Sequence, residues 1–349
     1  MSTHVGRWPL PSWGRATWLI ATVGLAGCIE DVGRPIAQLP DRSCTNIAAY
    51  HGTSESVPAW NPSGTSVIAP VGYDPNGSFS PGLYVIEIRT RSWRKVVETG
   101  AFRSPKHIDW NRHSDRVLVS YDPGAEFVDV QSGAVTTLVD QDAQPIFRAR
   151  WSPEGDSIWY VRTGGTYVMP AGGGRPRLFQ PTGTDFRPSG GWEFSPDGRR
   201  IAYAHGVLEA AGYYDGQNEI RIIGRDGTRI RQLTFLNGEA RNPVWIHGGR
   251  EILFNWVDST CGHTLPLPER TWLAVDVETG ALRQLGQYLG SANCQFSFPI
   301  GVDPSGEHAA VVGEASFRGT STRIGVLYLT PIERDLRTRL FRPGSPEVP

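Results

Sequence analysis

The stretch Phe194-Ser-Pro-Asp-Gly198, followed by Ile201-Ala-Tyr203, decides the fold of this chain. Proline presets φ near −65° for a turn, Asp or Ser can bond back to the backbone, and Gly accepts positive φ without a Cβ clash. The apolar residues before and after the turn are typical of short strands. The stretch therefore predicts a strand that ends, reverses within a few residues and begins again.

The same pattern occurs six times along the chain, and we number the copies repeat 1 to repeat 6. The apolar residue that opens each copy is here called its lead residue, and the leads are Trp60, Trp110, Trp151, Phe194, Trp245 and Val302. The next apolar run begins seven residues after the lead in each copy, the fourth position after the lead is Gly in five copies, and the second is Pro in four. Repetition at this spacing indicates a repeat architecture.

Each repeat continues with further strand-like segments. Third strands are predicted at 83–88, 126–130, 167–169, 220–223, 271–275 and 324–329, and fourth strands at 135–139, 231–234 and 282–285. Four short antiparallel strands repeated radially make a propeller blade. The sequence thus predicts an all-β, six-bladed β-propeller of four-stranded antiparallel blades over residues 53–342, with a C-terminal tail at 343–349.

The Ser-Pro-Asp-Gly turn followed by Ile-Ala-Tyr resembles the repeat of TolB-type propellers, over roughly residues 53–342. The resemblance implies the propeller fold. It leaves the function open, because the same repeat serves translocation scaffolds, peptidases and lyases.

Composition and motifs exclude several function classes. The formal net charge is −1, so no basic surplus is available to neutralise phosphates, which argues against nucleic-acid binding. No Gly-x-Ser-x-Gly elbow, Cys-x-x-Cys pair or calcium-loop motif occurs. We therefore predict no catalytic residue, no metal and no cofactor.

The N-terminus predicts export. Residues 1–15 contain Arg7 and Arg15 and no acid, and a short apolar run leads to Leu25-Ala-Gly-Cys28. These features are typical of a secretory signal, and the last four residues resemble the bacterial lipobox. We expect a signal peptide at 1–27, lipidation of Cys28 and a tether at 28–52, with a plain signal peptide or a short anchor as alternatives. Ile29 after the cysteine favours the outer membrane, with the protein facing the periplasm.

Three cysteines would remain in an oxidising compartment: Cys44, Cys261 and Cys294. Cys261 and Cys294 fall in predicted loops on one face of the propeller, so a disulfide between them is expected. Free thiols, or a bridge from Cys44 to one of the others, remain open.

The connections on one face are long, at 72–82, 205–218, 257–270 and 313–322. Functional residues concentrate on loops held by a rigid scaffold. The binding-face candidates are Arg187, Arg241, Tyr213, Tyr214, Trp256 and His263. The alternative is that the aromatic residues cover blade edges and the arginines pair with local carboxylates.

Four arginines fall shortly before predicted first strands: Arg103, Arg148, Arg187 and Arg241. If they converge, they form a funnel that favours an anionic group. The favoured hypothesis is a non-catalytic, lipid-anchored binding or scaffold protein that engages a protein or polymer through its long-loop face. The alternatives are a propeller-type lyase acting on acidic polysaccharide and a small-anion sensor using the central channel.

Overall fold

The computed structural model describes residues 45–50, 58–73, 79–90, 92–98, 105–121, 123–181, 186, 188–208, 214–236, 238–258, 270–284, 296–316 and 323–332. The described chain is almost entirely strand and turn, with a single-turn 3₁₀ segment at His247–Gly249. Among these residues no helix is long and apolar enough to cross a membrane.

The described strands are numbered in chain order, and each repeat has an innermost, a second, a third and an outermost strand. The outermost strands are β1 (Thr45–Tyr50), β5 (Trp93–Glu98), β9 (Val135–Thr137), β13 (Arg177–Pro181), β17 (Arg231–Gln232) and β21 (Leu282–Gln284). The innermost strands are β2 (Ala59–Trp60), β6 (His107–Trp110), β10 (Phe147–Trp151), β14 (Pro188–Phe194), β18 (Gly238–Ile246) and β22 (Phe296–Val302). The second strands are β3 (Ser66–Tyr73), β7 (Arg116–Ser120), β11 (Ser157–Arg162), β15 (Arg200–Leu208), β19 (Glu251–Asp258) and β23 (His308–Ser316). The third strands are β4 (Phe79–Glu87), β8 (Ala125–Asp129), β12 (Gly165–Pro170), β16 (Tyr214–Gly224), β20 (Arg270–Asp276) and β24 (Arg323–Pro331).

Neighbouring strands within each repeat pair antiparallel. Repeats 2 and 3 form separate four-stranded sheets, whereas repeats 4 and 5 are linked into one sheet by a short parallel contact between β16 and β18. Every lead residue lies at or near the end of an innermost strand, as the repeat pattern predicts. The all-β propeller class expected from the sequence is confirmed.

The last repeat is completed by the beginning of the chain. Strand β1 pairs antiparallel with β24, with Thr45 opposite Leu329 and Tyr50 opposite Gly325. It therefore supplies the outermost strand that repeat 6 lacks. This strand lies inside the segment 28–52 that the sequence predicts as a tether, so the sheet begins earlier than expected. The reason is that an edge strand forms by backbone hydrogen bonds and needs no distinctive side chains.

The turn after each lead adopts the geometry that its residues require. The glycine at the fourth position has φ of 69° at Gly64, 71° at Gly155, 69° at Gly198 and 73° at Gly306. In the same repeats the residue after the lead donates its N–H to the carbonyl five residues later, for example Ser195 to Arg200 at 2.9 Å. The tight reversal inferred from the sequence is therefore present and alike in these copies.

The core lies between neighbouring repeats, where the faces of two sheets meet. Residues of repeats 1 and 2, such as Ile68 and Val117, pack in one cluster, and Trp159 of repeat 3 packs with Phe194 of repeat 4 in another. Val67 of repeat 1 packs with Ala310 of repeat 6. Because successive strand residues point to opposite faces, adjacent residues such as Val67 and Ile68 stabilise different interfaces. This packing arranges the sheets around a central axis.

Candidate functional site

A cavity of about 530 Å³ lies on this central axis. Its wall is made by the innermost strands of all six repeats and by the tight turns that follow them. The innermost strands begin at the end of the cavity where second strands finish, since Pro188 pairs with His205 and Gly238 with Asp258. We call this end the loop mouth, because the connections between second and third strands leave from it, and the opposite end the turn end.

One position of each repeat lines the middle of this cavity, namely the residue before the lead. These residues are Ala59, Asp109, Arg150, Glu193, Val244 and Gly301 in chain order. Repeats 2, 3 and 4 thus contribute charged side chains. Repeats 5 and 1 contribute apolar side chains, and repeat 6 contributes a glycine, which has none. The cavity therefore has one charged wall and one apolar wall.

The two carboxylates of the charged wall also bind backbone. Asp109 Oδ2 accepts a hydrogen bond from the N–H of Trp151 at 2.6 Å, and Glu193 Oε2 accepts one from the N–H of Trp245 at 3.3 Å. Each bond runs to the innermost strand of the next repeat, whose outer N–H groups have no ladder partner. The carboxylates therefore connect repeat 2 to repeat 3 and repeat 4 to repeat 5.

Burial in the cavity wall shifts the pKa of these groups. It raises the pKa of Glu193 to about 7, and it raises the pKa of Asp109, in both cases against the attraction of Arg150. Burial also lowers the pKa of Arg150, although nearby Glu193 and Asp109 oppose that change. The pKa of His107 falls well below its usual value because of burial and the positive charge of Arg150. Desolvation disfavours the charged form in each case.

We expect Glu193 to make stability depend on pH. Its pKa is raised from 4.5 to about 7 in the folded protein, so between these values the folded state holds a proton that the unfolded state has lost. Stability should therefore fall as pH rises through this window. Glu193→Gln should raise the unfolding free energy at pH 8 by about 2 kcal/mol. This is less than the free energy that corresponds to the whole pKa shift, because the carboxylate lines an open cavity.

Urea unfolding of both proteins at pH 5 and pH 8 measures this effect. At pH 5 the two proteins should differ little, since the carboxyl group is then mostly protonated. An equal difference at both pH values would contradict the assignment.

Two polar groups of the charged wall have no direct partner in the described part of the chain. No ion pair or hydrogen bond to another described residue is made by the guanidinium of Arg150, which lies 5.9 Å from the ring centroid of Trp192. His107 Nε2 is buried and has no hydrogen-bond partner. Both residues line the cavity, so a molecule bound there could supply hydrogen-bond partners for them.

The indole groups of two lead residues form hydrogen bonds between neighbouring repeats, next to the residues that line the cavity. Trp60 Nε1 donates to the carbonyl of Gly301 at 2.9 Å, and Trp245 Nε1 donates to the carbonyl of Glu193 at 3.2 Å. The acceptor in both cases belongs to the residue before the lead of the preceding repeat. The same residues that line the cavity thus also hold the repeats together.

The backbone is strained near the loop mouth. Three residues before the lead, φ is 50° at Arg148, 103° at Gly191 and 52° at Asn242, and the strand register shifts at each of these places. A non-glycine residue at positive φ costs roughly 1 kcal/mol, and such strain clusters at ligand clamps. The bulges direct Arg148 and Asn242 into the wall of the cavity.

Glycine and alanine at position 148 should separate strain from lost contacts. Both substitutions remove the hydrogen bond from Arg148 Nη1 to the carbonyl of Pro188, at 2.7 Å, but only glycine accepts φ of 50° freely. Arg148→Gly should therefore be more stable than Arg148→Ala by about 1 kcal/mol in urea unfolding. Equal stability of the two variants would mean that the left-handed conformation is not strained.

The arginines predicted from the sequence are described only in part. Arg148 and Arg241 both line the cavity, and Arg241 is paired with Glu239. Lys106 lines the cavity too. Arg103 and Arg187 lie outside the described residues. The described pair therefore converges on one cavity, as a funnel requires.

Other predicted residues are placed differently or lie outside the description. Trp256 lies in β19 and is only 6% exposed, packed in the core between repeats 4 and 5, so it is not available on the binding face. Tyr214 begins β16. Tyr213, His263 and the cysteines Cys28, Cys44, Cys261 and Cys294 lie outside the described residues. No group of metal-ligating side chains occurs within the ranges given above.

The charged wall was missed from the sequence, although a signal is present. Strand residues before a lead are expected to be apolar or small, as in Ala59 and Val244, whereas repeats 2, 3 and 4 have an ionisable residue at this position. An aligned reading of the six copies identifies it. The predicted binding face consists of long loops, whereas these three residues belong to innermost strands.

No family model matches the sequence, and none of the curated proteins does. Similar solved structures exist: a TolB protein of Agrobacterium tumefaciens is 17% identical with a TM-score of 0.54, covering 74% of this chain and 100% of that one. An oligogalacturonate lyase in complex with manganese is 9% identical with a TM-score of 0.50, covering 85% and 95%. A chain of a mitotic checkpoint complex is 10% identical with a TM-score of 0.52, covering 86% and 97%. At these identities the comparisons show the propeller fold alone.

Proposed function

We propose that this protein is a non-catalytic binding or scaffold protein of the cell envelope, a six-bladed propeller anchored by lipid at Cys28. It faces the periplasm, and it engages a protein or polymer partner through its long-loop face. The observation that carries the binding role is the convergence of three cationic side chains on the central cavity at its loop mouth.

Three cations support an acidic partner segment at this mouth. Lys106, Arg148 and Arg241 come from repeats 2, 3 and 5 and line one cavity, and Arg241 is also paired with Glu239. Arg241 keeps 43% of its side chain exposed. Arginine is common at interface hot spots and pairs well with carboxylates. A partner that presents Asp or Glu residues is therefore favoured.

Affinity capture from gently solubilised native envelopes tests this proposal. The wild-type protein should retain a stoichiometric partner, and the double variant Arg148→Ala, Arg241→Ala should lose it. Arg112→Ala is the matched control, because Arg112 lines the same cavity from the turn after the lead of repeat 2. Loss of the partner in the control, or retention in the double variant, would remove the loop mouth as the binding surface.

The residues that line the cavity can also be compared with those that a lyase would need. It expects His, Tyr and Arg at one deep pocket with a perturbed base. His107, Arg148 and Arg150 do lie together, but no tyrosine is among the cavity-lining residues that the structure describes. Unsaturated products formed from acidic polysaccharide by the purified protein would favour the enzyme over the scaffold.

Lipid attachment and the disulfide each have a direct test. Labelled palmitate should be incorporated by the wild-type chain and not by Cys28→Ala, which should leave the membrane fraction. Thiol titration of the unfolded, unreduced protein should leave Cys261 and Cys294 unmodified if they are bridged. If both cysteines react with the thiol reagent, they are free thiols and the predicted disulfide is wrong.

A further inference from the structure

The charged wall of the cavity offers groups of both signs at one level. Arg150 lies between Asp109 and Glu193, at the same register position of three successive repeats. Each carboxylate accepts one backbone hydrogen bond, and neither makes another with a described residue. A bound molecule can therefore meet an unpaired guanidinium and carboxylate oxygens together.

A ligand of single charge fits this arrangement poorly. An anion at Arg150 would also approach Asp109 and Glu193, and a cation at the carboxylates would approach Arg150. In a cavity wall of low dielectric, each such like-charge contact is costly. A molecule with separate negative and positive groups satisfies all three side chains.

The rest of the cavity indicates what accompanies these charges. Ala59, Val244 and Gly301 form the apolar wall opposite. His107 Nε2, which has no hydrogen-bond partner among the described residues, lies beside the charged wall and can bond an oxygen or an N–H of a ligand. The volume of about 530 Å³ is in the range of small-molecule sites and exceeds what a bare amino-acid backbone fills.

We propose that the central cavity binds a zwitterion of the amino-acid class, either a free amino acid with an apolar side chain or a short peptide. Its carboxylate binds Arg150, its ammonium group binds Asp109 and Glu193, and its apolar part lies against Ala59 and Val244. Arginine suits the first role because its guanidinium can donate two parallel hydrogen bonds to a carboxylate. This site is distinct from the partner surface at the loop mouth.

The sign of the pH dependence distinguishes this ligand from a simple anion. The groups that face Glu193 are Arg150, Asp109 and the backbone N–H of Trp245, with Arg112 further along the wall. Because the pKa of Glu193 is about 7, its charge appears between pH 6 and pH 8. Zwitterion binding should therefore tighten over this interval, whereas binding of a simple anion should weaken.

The test uses the full chain purified in mild detergent. Thermal shift with the twenty amino acids and the dipeptide Leu-Phe identifies the best probe, and calorimetry measures its affinity. We expect at least one probe to bind, and its N-acetylated and amidated forms to bind at least ten-fold more weakly. Absence of binding by every probe to a folded protein would overturn the proposal, as would equal binding of the N-acetylated form.

Substitutions in the charged wall test which residues bind the carboxylate of the ligand and which bind its ammonium group. Arg150→Met should weaken binding of the free probe at least ten-fold and change binding of its amide little. Glu193→Gln should weaken binding of the free probe and remove its tightening between pH 6 and pH 8. Asp142→Ala, at an exposed residue outside the cavity lining, serves as the control and should leave probe binding unchanged. Equal losses for free and blocked probes would indicate a merely structural role for Arg150 and Glu193.

Partner capture and probe binding can fail independently. The capture experiment changes Arg148 and Arg241, and the probe experiment changes Arg150 and Glu193 in a purified protein without a partner. Loss of one result with the other intact therefore shows which proposal is wrong.

Discussion

Asp140→Ala is expected to destabilise the protein by about 3–5 kcal/mol. The Asp140 side chain is fully buried, and its Oδ2 accepts hydrogen bonds from Tyr160 Oη at 2.5 Å and from Arg162 Nη1 at 2.7 Å. Arg162 is itself only 9% exposed and stacks on the ring of Tyr167. Removing one partner of a buried ion pair leaves a charge with too little compensation, which is the costly case.

Asp142 provides the matched control. Its carboxylate also binds Arg162 Nη1, at 2.8 Å, but its side chain is 57% exposed. Exposed ion pairs contribute little, so Asp142→Ala should cost less than about 1 kcal/mol. Urea unfolding of both variants at pH 7 measures the contrast. Similar losses in the two variants would mean that burial does not determine the strength of this network.

Gly301→Ala is the second substitution expected to have a large effect, of roughly 3 kcal/mol. A Cβ atom at Gly301 would lie 2.0 Å from the carbonyl oxygen of Pro58, and backbone cannot move aside as a flexible side chain can. Relieving this clash would require the two backbone segments to move apart, which would also disturb the hydrogen bond from Trp60 Nε1 to the Gly301 carbonyl. Both contacts join repeat 6 to repeat 1, so the clash separates the two repeats.

Gly172→Ala controls for the loss of glycine as such. A Cβ atom at Gly172 would meet nothing within 4 Å, so this variant should unfold close to the wild type. Thermal unfolding of the two variants gives the comparison. A stable Gly301→Ala protein would show that repeats 6 and 1 can shift without loss of packing.

The repeat and its turns could be predicted from the sequence because their chemistry is local. Pro196 and Gly198 specify the reversal by their own backbone preferences, and the apolar residues on either side specify strands. The long connections were predicted less well. The sequence predicts a loop at 205–218, but β15 continues to Leu208 and β16 begins at Tyr214, with these two residues paired. Backbone pairing extends a hairpin without requiring apolar side chains.

The candidate site could be predicted only in part, because its residues are far apart in the chain. Arg148 and Arg241 were identified by their position before innermost strands, and both line the cavity. Asp109, Arg150 and Glu193 meet only because successive repeats turn about one axis. The sequence predicts Trp256 on the binding face, but alternation along β19 directs its side chain into the core instead.

The pairing of β1 with β24 also determines how the protein can unfold. In an open array of repeats, a terminal repeat can fray at the cost of a single interface. Here the first and last described strands lie side by side in one sheet, and every repeat packs between two others. Fraying of either chain end therefore weakens the same repeat, and the ring has no end from which unfolding can spread at low cost. Unfolding is accordingly expected as one cooperative transition.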